Sequence, residues 1–286
     1  PGFSTPVYVA YYPCLKMLGE FMSSLHAISE SATLARRLGV ITGTVLVTAW
    51  FCCLILIRSA CGRLCRGQVD AYARHWSRLL LRLVRVRLEV QGQLPDFNDG
   101  RRYIILCNHS SHYDIPATFA SLPGSIRMLA KKELFAIPLF GAALRTGEFP
   151  SIDRRNQQQA VKDLQQAQRM MESGIVLWAA PEGTRSPDGQ LQPFKKGCFH
   201  LALETNAVIV PLAIRGIHSV LPARSWRMNL GLPVELKVGE PLDASRYNVE
   251  QLPELMSETR ARLQAMLDQP AEQALDVRDP QLGLAG

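Results

Sequence analysis

Asn108-His109-Ser110-Ser111-His112-Tyr113-Asp114 follows directly on the apolar run Tyr103-Ile104-Ile105-Leu106-Cys107. The pattern sets a histidine and an aspartate five positions apart, where a buried strand should give way to a helix. An imidazole near its unperturbed pKa accepts a proton at neutral pH, which makes histidine the commonest general base. A neighbouring carboxylate fixes its tautomer and stabilises the imidazolium that forms, as in the hydrolase triads. No Gly-x-Ser-x-Gly nucleophile elbow occurs anywhere in the chain. The base is therefore expected to act directly on a substrate hydroxyl, which points to transfer and away from hydrolysis.

Three other segments carry groups suited to an anion. In Pro181-Glu182-Gly183-Thr184-Arg185-Ser186, proline and glycine shape a turn, while Thr184, Arg185 and the Gly183 amide can donate. The planar fork of arginine suits a phosphate, and Glu182 could accept from a substrate hydroxyl. Arg154, in Ser151-Ile152-Asp153-Arg154-Arg155, is a second phosphate candidate, the alternative being a pair with Asp153 at a helix start. Lys195-Lys196-Gly197 adds positive charge ahead of a helix N-terminus, itself favourable to anions. A surface turn with a salt bridge would explain any one of these; together they describe one basic pocket facing one base. His112 turns the first box into His-x-x-His-x-Asp, a spacing that could hold a metal. The other blocks offer no obvious further ligands, so no metal is expected and His112 reads as a filler at the pocket rim.

These pieces sit at the ends of strands. Candidate strands are 85–90, 103–107, 126–130, 175–179, 207–214 and 234–238. Candidate helices are 115–121, 133–145, 156–173, 197–204 and 249–268. The alternation argues for a single layered α/β domain with a mixed or parallel central sheet, whose ligands bind beyond the carboxyl ends of the strands. That domain should cover 86–269, with an N-terminal extension over 1–30, a membrane-associated helical segment over 31–85 and a disordered tail over 270–286.

The helical segment has two parts. Leu38 to Ile57 is uncharged over twenty residues, with Arg36 and Arg37 before it and Arg58, Arg63 and Arg66 after it. As a helix it would rise ~30 Å, the thickness of a hydrocarbon core. It lies too far into the chain and is too long for a signal peptide. From Val69 to Val86, Tyr72, Trp76, Leu79, Leu80, Leu83 and Val84 fall on one side of a helix, and Arg74, Arg78, Arg82 and Arg85 on the other. A basic amphipathic helix with a tryptophan suits an anionic lipid surface. The apolar helix could span the bilayer, or enter one leaflet and return with its successor. The arginine bias would put the following domain on the cytoplasmic side of the inner membrane.

The net charge of +7 favours an anionic partner. Basic residues gather at the membrane flanks and the pocket blocks, which argues against nucleic acid. Seven cysteines with no Cys-x-x-Cys form neither a disulfide framework nor a zinc-ligand set. They read as reduced, mostly buried small hydrophobes.

With four blocks in order, the chain resembles the glycerolipid acyltransferases of the lysophosphatidic acid acyltransferase type. The blocks are Asn-His-x-x-x-x-Asp at 108–114, Ile-Asp-Arg at 152–154, Pro-Glu-Gly-Thr-Arg-Ser at 181–186 and Val-Pro-Leu-Ala-Ile at 210–214. Lys131-Lys132-Glu133-Leu134 and Phe194-Lys195-Lys196-Gly197 also look like the family, and the resemblance covers roughly 86–242. It implies transfer of a fatty acyl group from acyl-CoA or acyl carrier protein to a lysophospholipid hydroxyl, with no bound cofactor. By resemblance His109 is the general base and Asp114 orients it. Arg154, Glu182, Gly183, Thr184, Arg185 and Lys195 bind the acceptor phosphate region, and Pro211 lines the apolar site. The expected product is phosphatidic acid; the alternatives are another lyso-acceptor, such as lyso-ornithine lipid, and a metal-assisted hydrolase built on His109, His112 and Asp114.

Overall fold

The computed structural model describes residues 30–153 and 157–269. The expected extension up to Ser29, Arg154 and the expected tail from 270 lie outside the described residues. In chain order the first elements are β1 (Glu30–Ser31), α1 (Leu34–Ala60), α2 (Arg66–Leu83), β2 (Arg87–Gln91), β3 (Tyr103–Cys107), α3 (Asp114–Ser121), β4 (Ile126–Met128) and β5 (Ala130–Lys131). Then come α4 (Phe140–Thr146), β6 (Ser151–Ile152), α5 (Gln157–Glu172), β7 (Val176–Ala179), α6 (Gly197–Glu204), β8 (Val208–Arg215) and α7 (Ile217–Val220). The last are β9 (Asn229–Leu230), β10 (Pro233–Val238), β11 (Leu242–Asp243) and α8 (Leu252–Asp268).

The central sheet is mixed, in the order β2-β10-β8-β3-β7-β4, with β11 also on β8. Strands β8, β3, β7 and β4 run parallel, and β10 reverses against β8. Strands β3 and β7 are buried along their whole length. This is why they read as unbroken apolar runs: a parallel strand covered on both faces has no polar side to alternate with. One face, with Ile105, Cys107, Trp178, Val210 and Leu212, packs under α1 to α4. The other, with Ile104, Leu106, Leu177 and Ile209, packs under α5, α6 and α8.

The helix expected over 133–145 is broken. A 3-10 turn covers Lys132–Ala136 and α4 begins only at Phe140. Pro138 disfavours helical backbone at Ile137, which is extended at φ −71° and ψ 122°. Leu139 then adopts a positive φ of 63°, so the segment turns a corner where its apolar periodicity suggested one rod.

Helix α1 is long and apolar enough to cross a membrane, and it folds back on α2 as an antiparallel hairpin. Leu83 closes on Gly43, Trp76 Nε1 donates to Thr48 Oγ1 at 3.0 Å, and Phe51 meets Tyr72. Leu79, on the apolar side of α2, is exposed beside Arg78 and Arg82. Both ends of the hairpin are tied to the α/β body. Near the start of α1, Ala32 N–H donates to Met228 O at 2.8 Å and β1 pairs with β9. At the start of α2, Arg66 grips Glu148 with two bonds of 2.8 and 2.7 Å and also donates to Ser173. Asp70 meets the fully buried Arg127 at 2.6 Å. The outward face of α1 leaves Leu34, Leu38, Ile41, Val45, Trp50 and Ile57 exposed.

Candidate active site

The site begins where β3 ends. Asn108 is nearly buried and locks the strand end to β8: its Nδ2 donates to Ile214 O at 3.0 Å and its Oδ1 accepts from Ile214 N–H at 2.8 Å. The chain then turns, and Asp114 opens α3. Its Oδ2 accepts from His109 Nδ1 at 2.7 Å, from Ser110 N–H at 2.8 Å and from Ser111 N–H at 2.9 Å. Asp114 is fully buried, so these three donors and the positive end of α3 stabilise its charge in the absence of water. The bond to Asp114 sets the imidazole as the Nδ1–H tautomer and leaves Nε2 as the basic nitrogen. Nε2 has no hydrogen-bond partner among the described residues. Trp178 on β7 meets the imidazole edge-on at 5.8 Å and limits its rotation.

The main chain of His109 is clamped from the second box. Its N–H donates to Glu182 Oε1 at 2.7 Å, and its carbonyl accepts from Ser186 N–H at 2.7 Å. Glu182 is 2% exposed and its other oxygen accepts from Gln192 N–H at 3.0 Å. Burial pushes the Glu182 carboxyl above its ordinary range even though both backbone bonds pull it down. Glu182 therefore holds the loop and the base in register; both of its oxygens are spent inside the protein. Gly183, at φ 72°, makes the turn, and its N–H donates to Ala180 O at 3.0 Å. The amide expected to meet an anion thus closes the turn.

What remains open at the rim is basic. Thr184 and Lys195 are exposed, and Lys195 lies against Gly183 with its N–H bonded to Pro181 O at 2.7 Å. Arg185 is half-buried and has no hydrogen-bond or ion-pair partner among the described residues. His112 is exposed at the same rim, where partial desolvation, Arg185 and His109 together hold its pKa below the ordinary value. Among the described residues no group of three His, Cys, Asp or Glu side chains could hold a metal ion.

Pro211 is placed elsewhere than expected. It alternates with Val210 and Leu212, which face the hairpin side, so it points to the opposite face, where it and Met266 crowd Gly239. Its missing N–H falls between Leu212, paired with the last residue of β10, and Ile209, paired with the first of β11. The apolar space on the base's side is instead a cavity of about 70 Å³ between α1, α2, α3 and α4, lined by Phe51, Val69, Trp76, Ile115, Phe119 and Leu144, among others. Ile115 is the residue after Asp114. Sequence reasoning assigns no role to Asn108, Trp178 or Ser186; only the chain positions of Asn108 and Ser186, inside the two boxes, hint at one. Cys107 is buried and its thiol is pushed well up by desolvation, which leaves it an inert neighbour of the base.

Residues 85–215 match the family model described as Acyltransferase. The chain is 31% identical over 200 residues to the 1-acyl-sn-glycerol-3-phosphate acyltransferase of Cocos nucifera, covering 70% of this chain and 63% of that protein. It is 28% identical to the human 1-acyl-sn-glycerol-3-phosphate acyltransferase alpha, over 61% of this chain and 62% of that one. The chain thus spans somewhat under two thirds of these relatives' lengths. Its fold is shared with the crystal structure of the 1-acyl-sn-glycerophosphate (LPA) acyltransferase, PlsC, from Thermotoga maritima. That likeness has a TM-score of 0.68 at 24% identity and covers 84% of this chain and 98% of the other.

Proposed function

We propose, from the match of residues 85–215 to the acyltransferase family model, that the chain is an acyltransferase that moves a fatty acyl group from a thioester to the sn-2 hydroxyl of lysophosphatidic acid, giving phosphatidic acid. The thioester is acyl-CoA or acyl carrier protein. The observation that carries this reading is the bond of 2.7 Å from His109 Nδ1 to Asp114 Oδ2, with Nε2 left without a partner among the described residues and basic side chains at the rim.

In this mechanism Nε2 of His109 removes the proton from the acceptor hydroxyl as its oxygen attacks the thioester carbonyl. Asp114 holds the ring and stabilises the imidazolium. Collapse of the tetrahedral intermediate breaks the C–S bond, and the imidazolium returns its proton to the leaving thiolate. Arg185, Thr184 and Lys195, with Arg154, take the acceptor phosphate; Glu182 and Gly183 act by shaping the loop that carries Thr184 and Arg185. A short stretch of the acyl chain enters the apolar cavity beside Ile115, whose volume of about 70 Å³ cannot hold a whole fatty chain. No metal or resident cofactor is needed, because the thioester is already activated.

The hairpin of α1 and α2 brings this chemistry to lipid. Because both of its ends are tied to the same α/β body, we read α1 as lying with its exposed face in one leaflet, the domain resting on the cytoplasmic surface. The test is acyl transfer by the purified full chain in detergent to lysophosphatidic acid from oleoyl-CoA and, separately, from oleoyl-acyl carrier protein. His109→Ala should lower kcat by about 10²–10⁴-fold, the range for a lost general base. Full activity in that variant would end the assigned mechanism, and no product from the native chain with either donor would shift the acceptor to another lysolipid.

A further inference from the structure

One loop is unused by this chemistry: Pro222-Ala223-Arg224-Ser225-Trp226-Arg227-Met228, between α7 and β9. Trp226 is 82% exposed, the most exposed large hydrophobic side chain among the described residues. Arg224 and Arg227 flank it, both exposed, and neither guanidinium has a hydrogen-bond or ion-pair partner among the described residues. The loop is held in shape. Ser225 N–H donates to Pro222 O, Arg227 N–H donates to Ser225 Oγ, and Arg224 is fixed at a φ of 58°. It is also pinned to the start of α1, where Arg37 donates to Trp226 O and Ala32 N–H to Met228 O. Leu34 and Leu38, on that first stretch of α1, are 71% and 55% exposed.

We propose that this loop is a second membrane-docking element, with Trp226 seated at headgroup level of the leaflet that receives α1 and with Arg224 and Arg227 on anionic lipid phosphates. The proposal rests on the membrane reading above. An indole has an apolar body and one polar edge, and suits the boundary between headgroups and acyl chains. Arginine binds phosphate through its planar fork. A rigid loop that presents all three beside an exposed apolar helix offers a bilayer surface a complementary edge. The docked loop also leads back to the base: at its upstream end Leu221 O accepts from Ser111 Oγ at 2.9 Å, and the Ser111 amide binds Asp114.

The test uses the full chain on vesicles of phosphatidylcholine and phosphatidylglycerol, some with brominated acyl chains that quench tryptophan. Quenching should be greater in the native chain than in Trp226→Phe. The double variant Arg224→Ala, Arg227→Ala should bind the anionic vesicles about tenfold or more weakly at low salt, at ~1 kcal/mol per surface arginine. The deficit should shrink in high salt, and transfer in detergent should be unchanged in both variants. Native chain that binds with Trp226 unquenched, or arginine variants that bind as tightly as native chain, would overturn the proposal while leaving the membrane reading intact. A Trp226 shielded from aqueous acrylamide in the absence of lipid would overturn it too, because the loop would then already be covered. Failure of the native chain to bind any vesicle would overturn both.

Discussion

Replacing Glu182 with glutamine keeps the side chain's shape and removes one acceptor. Its carboxylate accepts from His109 N–H at 2.7 Å and from Gln192 N–H at 3.0 Å while only 2% exposed. An amide can serve one of these donors, but its NH2 group must then face the other. A buried donor left unmet costs about 1–3 kcal/mol. Relief of the burial penalty that raises the Glu182 pKa keeps the net loss toward the lower half of that range. For a domain of this size about 1–2 kcal/mol corresponds to a fall in Tm of roughly 2–8 °C. The shorter bond holds the main chain of the base, so kcat should fall about tenfold through misplacement of His109, with KM for the acceptor little changed. Thermal melts by circular dichroism and steady-state kinetics, in one detergent, separate this from the alternative. An unchanged Tm with a raised acceptor KM would refute the clamp and return Glu182 to the substrate.

Arg127→Met should be costly for a different reason. Its guanidinium is fully buried against Asp70 at 2.6 Å and Gly147 O at 2.6 Å, and removing it strands a nearly buried carboxylate, worth about 3–5 kcal/mol. Denaturant titration should show that loss, and Asp70→Asn in the same chain should restore part of it; a loss below about 1 kcal/mol would mean the network is idle. Glu148 gives the pH dependence. Its hydrogen bonds to Arg66 hold its carboxyl below the ordinary 4.5, so its contribution is complete above that value and is lost as pH falls through the depressed folded value. Glu148→Gln should be less stable than native chain at neutral pH and should lose less on acidification. Denaturation midpoints from neutral pH down to about pH 3 read the difference, and parallel curves would contradict it.

The parts of the fold legible in the sequence are those written in local pattern. Strand β3 falls on 103–107 as expected, because five buried apolar residues between polar flanks admit little else. Helix α1 outruns its uncharged core at both ends, to Leu34 and Ala60, since Thr33 caps it and its arginines are good helix formers. Across 133–145 the apolar periodicity and Pro138 give opposite signals, and the proline prevails. Arg127 is invisible in the sequence: inside the run 126–130 it reads as a polar residue in a strand, and its partner lies on a helix 57 positions away.

The same distinction runs through the site. The pairing of His109 with Asp114 can be read because its two members are five residues apart, and the turn that joins them forces the contact. What separates a substrate ligand from a structural clamp is not local. Glu182 and Arg185 sit three positions apart in one motif of polar residues, yet one faces the His109 amide 73 positions away and the other the open rim. Strand parity decides Pro211 in the same way, since a residue between two inward neighbours must point outward. Chemistry in this chain is therefore announced by residue type and executed by direction. Direction is set by sheet register and by backbone bonds between boxes: Asn108 to Ile214, and Glu182 and Ser186 to His109. Those bonds hold the imidazole in place before any substrate arrives, so the blocks at 108–114, 181–186 and 210–214 are better understood as one clamped constellation than as separate contributors to a pocket.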